Sequence, residues 1–521
     1  MKMDSLKWII FSCLLCLYGT EAYKILAVFP LPSKSHGILG DNMVKHLLDA
    51  GHEVTYITPY YKETKTHPNL KQIDVSANKE VINENTMDIK LVMAGIINLE
   101  DPDLVFDMMF TIASKTLENP NVQEMMRNQK FDVVVAEYMF VDLYSSFATV
   151  FQCPLVWFST VNPHWMIMNL IDGPLNPAYN ADYTHNRVTP FTFYDRVMEL
   201  WHQVVEQYKL THKYYYHEVG AYEKSIVPML KEKGIPVPEY NEVRYNGSLV
   251  LGNSQVAISD AIALPPNYKH IGGYHIDDEV KPLPENLKKI MESNKNGIIY
   301  FSLGSNIKSK DLPVEIKEGI LDVFKGLKQT VIWKFEEVLA NAPKNVHIVQ
   351  WAPQQSILAH PNLVLFVTHG GLLSITETIH HGVPVVSIPV FADQFQNAKR
   401  AEIQGYGRNV RLTPNLPKDL KKAMDDVLGN PSYASVAKEL SKAYHHRQTK
   451  PKDEINFWID HVVQTRGAPH LRSVAISLPY YQRYFLDVLA IILISLLTII
   501  YAVAKLWCSL TSKSNGKYKT N

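Results

Sequence analysis

The stretch NLVLFVTHGGLLSITETI, residues 362 to 379, passes from an apolar run through a histidine and two glycines into a segment with helical spacing. Leu363 to Val367 read as a strand covered on both faces, as in a parallel sheet. His369 closes that strand, Gly370 and Gly371 make the turn, and Leu372, Ile375 and Ile379 then recur at helical intervals. In an open parallel sheet, ligands sit beyond the carboxyl ends of the strands. Glycines let a bulky anion approach the backbone there, and the unpaired amides of the first helical turn point at it. The expected geometry is a phosphate cradle on an α/β sheet.

A strand-to-helix connection that binds nothing needs the same glycine pair, so the neighbours decide. Upstream, QWAPQQSILAHP (350–361) presents Trp351 and Gln354 at the end of the preceding strand pattern. Downstream, PVFADQFQNA (389–398) presents Asp393 and Gln394, and Glu377 lies about two turns into the intervening helix. An indole stacks on a base, carboxylates hold ribose or sugar hydroxyls, and the cradle holds a pyrophosphate. Together they make the parts of a nucleotide-sugar site.

The rest of the chain repeats this strand grammar. YKILAVFP, HEVTYITP, FDVVVAEY, PLVWFST and GSLVLGNS alternate with helical stretches between residues 23 and 270. The pattern restarts with GIIYFSLGS, TVIWKF, VHIVQW, VLFVTHGG and VPVVSIPV between 297 and 390. Two doubly wound α/β domains follow, over 23–270 and 271–445, joined by a turn-rich linker near 255–290. PSYASVAKELSKAYHH is the last helical pattern of the second domain; KPKDEINFWIDHVVQ lies in residues 446–484, which read as C-terminal helices and a juxtamembrane segment. The aromatic run HKYYYHEVGAYEK (212–224) reads as core packing without a role in chemistry.

Acids and bases balance at 52 each among 521 residues, so no global field draws the chain to nucleic acid. Lys2, Lys7, the apolar run Trp8 to Leu17, and the small residues Thr20 and Ala22 read as a secretory signal peptide cut after Ala22. FLDVLAIILISLLTIIYAVA, residues 485 to 504, is long and apolar enough to be a transmembrane helix, and the lysine-bearing tail 505–521 suits the cytoplasmic side. Lys517 and Lys519 resemble a dilysine retrieval signal to the endoplasmic reticulum. Cys13 and Cys16 leave with the leader and Cys508 lies past the anchor, so Cys153 has no luminal cysteine to pair with. Asn246, in NGS, is a glycosylation acceptor in a turn-rich setting.

The motifs FPLPSKSHG (29–37), YFSLGS (300–305), WAPQ (351–354), THGG (368–371) and FADQ (391–394), together with the leader, anchor and lysine tail, resemble the UDP-glycosyltransferase family over nearly the whole chain. HGGLLS looks most like insect members. The resemblance implies a GT-B fold, two Rossmann-like domains facing a cleft, with acceptor on the N-terminal domain and UDP-sugar on the C-terminal one. It implies that Trp351 stacks on uracil, that Gln354 binds it and that Glu377 holds the ribose. His369, the amides of Gly370 and Gly371, and Ser305 would hold the diphosphate, and Asp393 and Gln394 the sugar hydroxyls. Vertebrate members commonly carry Asn-Gly where Leu373 and Ser374 stand, so backbone amides or Ser374 would replace an asparagine contact.

Transfer to a hydroxyl needs a base on the acceptor side. His36 follows the first strand, and the family places its catalytic base in this loop. Its partner should be a carboxylate that fixes the tautomer. Asp132 begins the strand FDVVVAEY and Glu137 ends it, about 16 Å away at 3.3 Å per residue, so only Glu137 reaches the crevice. The family usually has Asp there, and Asp142 stands as a substitute acid. The reaction expected is inverting transfer of a hexose, glucose from UDP-glucose, to a hydroxyl of a small lipophilic acceptor, as in detoxification. Glucuronosyl transfer is the alternative within the family, and a weakly catalytic membrane-anchored lipophile binder the alternative outside it. No cofactor or metal is required, because helix-end amides serve the diphosphate. His380 and His381 lack ligand spacing, and as the end of a helix they suit its dipole. A homo-oligomer is compatible with these features.

Overall fold

The computed structural model describes residues 22 to 515 apart from 65–66, 83–87, 174, 184–185 and 340. The signal-peptide reading, with Cys13 and Cys16, and the Lys517 and Lys519 reading lie outside the described residues.

Within residues Met1–Leu471, which form one compact unit, the described strands make two parallel sheets. The first contains β1 (Lys24–Val28), β2 (Glu53–Thr58), β3 (Leu70–Asp74), β4 (Val133–Tyr138), β5 (Leu155–Ser159), β6 (Gly247–Gly252) and β7 (Tyr268–His270), in the order 3-2-1-4-5-6-7. The second contains β8 (Ile298–Ser302), β9 (Thr330–Lys334), β10 (Val346–Val349), β11 (Leu363–Thr368), β12 (Val385–Ser387) and β13 (Gly407–Asn409), in the order 10-9-8-11-12-13. Each order reverses once, between β1 and β4 and between β8 and β11. These reversals are the crevices where doubly wound sheets bind ligands. The helices that matter are α1 (Lys34–Asp49), α2 (Leu372–His381), α3 (Gln394–Gln404), α4 (Ser432–His445) and α5 (Pro451–Gln464).

Both faces of each sheet are covered, which is why the central strands carry unbroken apolar runs. Leu26, Val134 and Trp157 point into one core of the first sheet, and Ile25, Val133 and Phe158 into the other. Phe301, Trp333 and Val367 likewise oppose Tyr300, Ile332 and Phe366 in the second.

Three strands have no counterpart in the sequence reading. β3 (LKQID), β7 (YKH) and β13 (GRN) are sheet edges, and their polar or very short sequences lack the apolar run of a strand covered on both faces. The helix α5, within the residues read as C-terminal helices, returns to the first sheet, where Ile455, Ile459 and Val462 insert into its core. Tyr23 Oη ties this return, donating to Asp460 Oδ1 at 2.6 Å. In the aromatic run, Tyr214 and Tyr222 are core residues as expected, Tyr214 stacking on Phe106 at 3.8 Å, whereas Tyr216 is exposed. His380 and His381 do not behave as a charged helix end. Burial holds their imidazoles down at about 3 and about 4, so they are neutral and desolvation outweighs the dipole.

Residues Arg472–Asn521 form a second unit. Its helix α6 (Leu486–Asn515) starts one residue after the expected span and runs past Ala504, because KLWCSLTSKSN contains no helix breaker. Leu486–Thr511 is long and apolar enough to cross a membrane, and none of it is buried in protein.

Candidate active site

A cavity of about 1670 Å³ lies at the carboxyl ends of both sheets, lined by the segments that follow β1, β4, β8 and β11 and by the last residue of β9. His36 stands on the wall of the cavity built by the first sheet. It is not in a loop, as the sequence suggested, but in the first turn of α1, directly after the β1 crevice. Its Nδ1 lies 2.5 Å from Glu137 Oε1, near the end of β4. Glu137 is 1% exposed and His36 is 15% exposed, so the carboxylate sits behind the imidazole and the imidazole meets the cavity. With Nδ1 facing the carboxylate, Nε2 is left for a ligand.

The other two acids are committed elsewhere. Asp132 accepts the Lys24 amide at 2.7 Å, at the far end of the strand. Asp142 is buried and paired with Arg244, whose Nε donates to Oδ2 at 2.7 Å. Its amide donates to Glu218 Oε1 at 2.7 Å, and Tyr240 Oη donates to Glu218 Oε2 at 3.1 Å. Asp142 is thus the anchor of a buried network and no substitute for Glu137.

The opposite wall is built on the second reversal. Gly370 takes φ +83 to make the turn, its amide donating to Thr368 Oγ1 at 3.3 Å and its carbonyl accepting from Asn397 Nδ2 at 3.0 Å. Those groups are spent on the turn, and Gly370 does not line the cavity. Gly371 does, as the N-cap of α2 without a side-chain cap, and in the first turn that follows, the Leu372 amide is taken by the Asp393 carboxylate. The imidazole of His369 fills the space between two glycines. A Cβ on Gly304 would lie 2.6 Å from its Cε1, and one on Gly371 2.4 Å from its Nε2. Burial, then the nearby Lys334 charge, pull His369 down to about 4, so it is a neutral ring. Ser305, next to Gly304, lines the same wall.

Behind Trp351 a polar cluster is organised around Glu377. Gln354 Nε2 donates to Glu377 Oε2 at 2.6 Å and to Ser374 Oγ at 3.1 Å, and Gln355 Nε2 donates to Glu377 Oε1 at 3.4 Å. Burial raises the Glu377 carboxyl to about 7, against these hydrogen bonds. Trp351 itself is 59% exposed, an indole face open to a planar ligand. Leu373 packs partly buried against the core of the first sheet, which fits a leucine where a ligand-facing amide is absent.

Asp393 sits just before α3 after Ala392, a residue at φ +53. Its carboxylate accepts from Asn397 Nδ2 at 2.7 Å, and burial raises it to about 6. Gln394 Oε1 accepts the amides of Val390 and Phe391 at 2.9 and 3.2 Å, which fixes its side chain at the cavity edge. Sequence reasoning missed Lys334, which ends β9 and donates to the Gly304 carbonyl at 2.5 Å. A lysine closing an apolar strand at a ligand-bearing sheet edge was the available signal. It also left the first-sheet wall unplaced: Met108, Met109, Met139, Phe140, Met166 and Trp201 give this side an apolar lining.

The profile of a family described as "UDP-glucoronosyl and UDP-glucosyl transferase" matches residues 25–520. The chain belongs to this family. Among its relatives, this glycosyltransferase is 31% identical to UDP-glycosyltransferase UGT5 of Dactylopius coccus, over 93% of this chain and 92% of that one. It is 30% identical to UDP-glucosyltransferase 2 of the same insect, over 91% and 90%, and 30% identical to a UDP-glucuronosyltransferase of Pleuronectes platessa, over 78% and 84%. Among solved structures, the calicheamicin glycosyltransferase CalG4 superposes with a TM-score of 0.58 at 16% identity, over 86% of this chain and all of that one. A UDP-glucosyltransferase from Polygonum tinctorium gives 0.57 at 14%, over 85% and 99%. The GT-B fold expected from the motifs is therefore present. The enzyme is a UDP-glycosyltransferase of a family with both glucosyl and glucuronosyl members.

Proposed function

We propose that the enzyme transfers glucose from UDP-glucose, with inversion, to a hydroxyl of a small lipophilic acceptor. The observation that carries this reading is the placement of the His36–Glu137 pair across one cavity from the His369–Gly371 turn. Glu137 holds the Nδ1–H tautomer, and Nε2 of His36 takes the proton of the acceptor hydroxyl. The hydroxyl oxygen bonds to the anomeric carbon, the bond from that carbon to the diphosphate oxygen breaks, and UDP leaves with the electron pair. An α-linked donor gives a β-glycoside.

Trp351 stacks on the base, with Gln354 beside it, and Glu377 holds the ribose. His369, Ser305 and the amides of Gly371, Leu373 and Ser374 receive the diphosphate, with Lys334 behind them. These groups supply the charge stabilisation, so the reaction in this reading requires no metal ion and persists in chelator. Asp393 and Gln394 take sugar hydroxyls. The methionine and aromatic wall supports the lipophilic acceptor, for which detoxification is the natural setting. The donor assignment is supported by the glucosyltransferase named among the Dactylopius coccus relatives. The leader, the span in α6 and the lysine tail support an anchor in the endoplasmic reticulum with both domains luminal, where the exposed Asn246 would carry glycan.

The test is glycoside formation by membranes carrying the full chain, offered a panel of phenols with UDP-glucose or UDP-glucuronic acid. The expected result is transfer from UDP-glucose that is lost in His36→Ala at equal abundance. Transfer from UDP-glucuronic acid alone would reassign the donor, and an active His36→Ala would remove the base.

A further inference from the structure

Trp351 is approached by two ammonium groups, one from each half of the cleft. Lys334 Nζ lies 5.9 Å from the centre of its ring and Lys34 Nζ lies 5.0 Å from it. The two cations are differently employed. Lys334 is 10% exposed, donates to the Gly304 carbonyl, and is neutralised by Glu336 Oε1 at 3.3 Å. Lys34, the first residue of α1, is exposed and has no carboxylate within ion-pair distance among the described residues. Its ammonium stands over the indole, a weak contact at an exposed ring that a stronger anionic partner displaces.

The position of Lys34 is fixed by more than its own side chain. Ser33 Oγ, one residue earlier, donates to Asn306 Oδ1 at 3.1 Å, which ties the start of α1 to the loop that carries Gly304 and Ser305. Lys334 touches both that loop and the Trp351 ring, so loop and ring lie within one side chain's reach of each other. The Lys34 charge is felt at Lys334, adding to the burial that pulls the Lys334 ammonium below its ordinary range. Both ammonium groups lie within 5.9 Å of the Trp351 ring centre, and an anion entering there gains most from Lys34, because Lys334 already has Glu336.

We infer that Lys34 is a donor-binding residue supplied by the acceptor-side half of the cleft, its ammonium leaving the indole to take a phosphate oxygen of the bound nucleoside diphosphate. The base then occupies the indole, and the same α1 turn that carries His36 is drawn toward the donor. This inference rests on the reading of Trp351 and the His369 turn as the nucleotide site.

The experiment measures inhibition by UDP and by uridine in membranes carrying the full chain as wild type, Lys34→Ala, Lys34→Arg and Trp351→Ala. Lys34→Ala should weaken UDP roughly tenfold, the scale of one charge-assisted hydrogen bond, and leave uridine unchanged. Lys34→Arg should keep most of the UDP affinity, because the charge remains. Unchanged UDP inhibition in Lys34→Ala overturns the inference, as does an equal loss for UDP and uridine, which would place the effect on the indole. Trp351→Ala separates the two levels. Loss of both ligands there supports the nucleotide site whatever Lys34 does, whereas no loss of either overturns that reading and the inference with it.

Discussion

His36 Nδ1 meets Glu137 Oε1 at 2.5 Å across 101 residues of sequence, the histidine entering from the end of β1 and the glutamate from the end of β4. The chain reverses direction through the sheet between these two strands, so the contact spans the crevice itself. The family-typical residue at this place is aspartate, and here the longer side chain reaches the imidazole. Backbone spacing here is matched to glutamate. Glu137→Asp should therefore lower kcat/KM about 10²-fold, as a displacement of about 1 Å in an oriented group does, rather than restore a more active pair. The comparison is kcat/KM for the best phenol in wild type and variant at equal abundance, and a rise in the variant would contradict the matching.

Asp142 is predicted to act on folding and not on proton transfer. Its loss leaves the buried Arg244 guanidinium without its partner, a change that typically costs ~3–5 kcal/mol. Glu218 softens this. Burial, then the Asp142 charge, push its carboxyl up to about 8, so removing Asp142 lifts the second of the two causes that hold it protonated near Arg244. Asp142→Ala should lower the thermal midpoint clearly while the surviving folded fraction keeps the wild-type pH profile of kcat. A shifted profile would return Asp142 to the catalytic pair.

How much of this was legible in the sequence depends on burial. The strands that carry the site, β1, β4, β8 and β11, are covered on both faces and announce themselves as apolar runs, and the residues just beyond them could be named from sequence. Edge strands such as β7 pair on one side and carry little signal, so they were invisible. The return of α5 to the first sheet is a long-range choice made by Ile455, Ile459 and Val462, which look the same in sequence whichever core they enter. His380 and His381 misled for a related reason: helix position was readable, but the burial that keeps them neutral was not. Lys34 stood in plain view within FPLPSKSHG, yet nothing local in the chain brings it to Trp351.

Gly371 illustrates a constraint of space. A methyl group there would lie 2.4 Å from His369 Nε2, well inside van der Waals contact, so Gly371→Ala must displace the imidazole from between the two glycines. The backbone at this residue is ordinary, at φ −62, and the substitution brings no conformational strain of its own. The variant should fold with a lowered thermal midpoint, because a buried imidazole must move, show a KM for the UDP-sugar raised tenfold or more, and leave the KM for the acceptor little changed. Equal effects on both substrates would mean that His369 shapes the whole cavity and not the donor side.

Glu377 should trade stability against donor binding in a pH-dependent way. Its carboxyl titrates near 4.5 when solvated and at about 7 in the folded enzyme, because burial penalises the charge. The folded state therefore holds a proton that the unfolded chain releases, and the stability this group contributes is full below about 4.5 and lost as pH rises through about 7. Glu377→Gln removes the titration while its amide oxygen still accepts from Gln354 or Gln355. In the absence of ligand the variant should melt higher than wild type at pH 8 and equally at pH 4.5, where both side chains are neutral. UDP should reverse the order at pH 8 if, as proposed, the carboxylate held at that cost accepts ribose hydroxyls. If UDP raises the melting temperature of the variant as much as that of wild type, Glu377 is a core residue of the α2 turn and has no part in holding the donor.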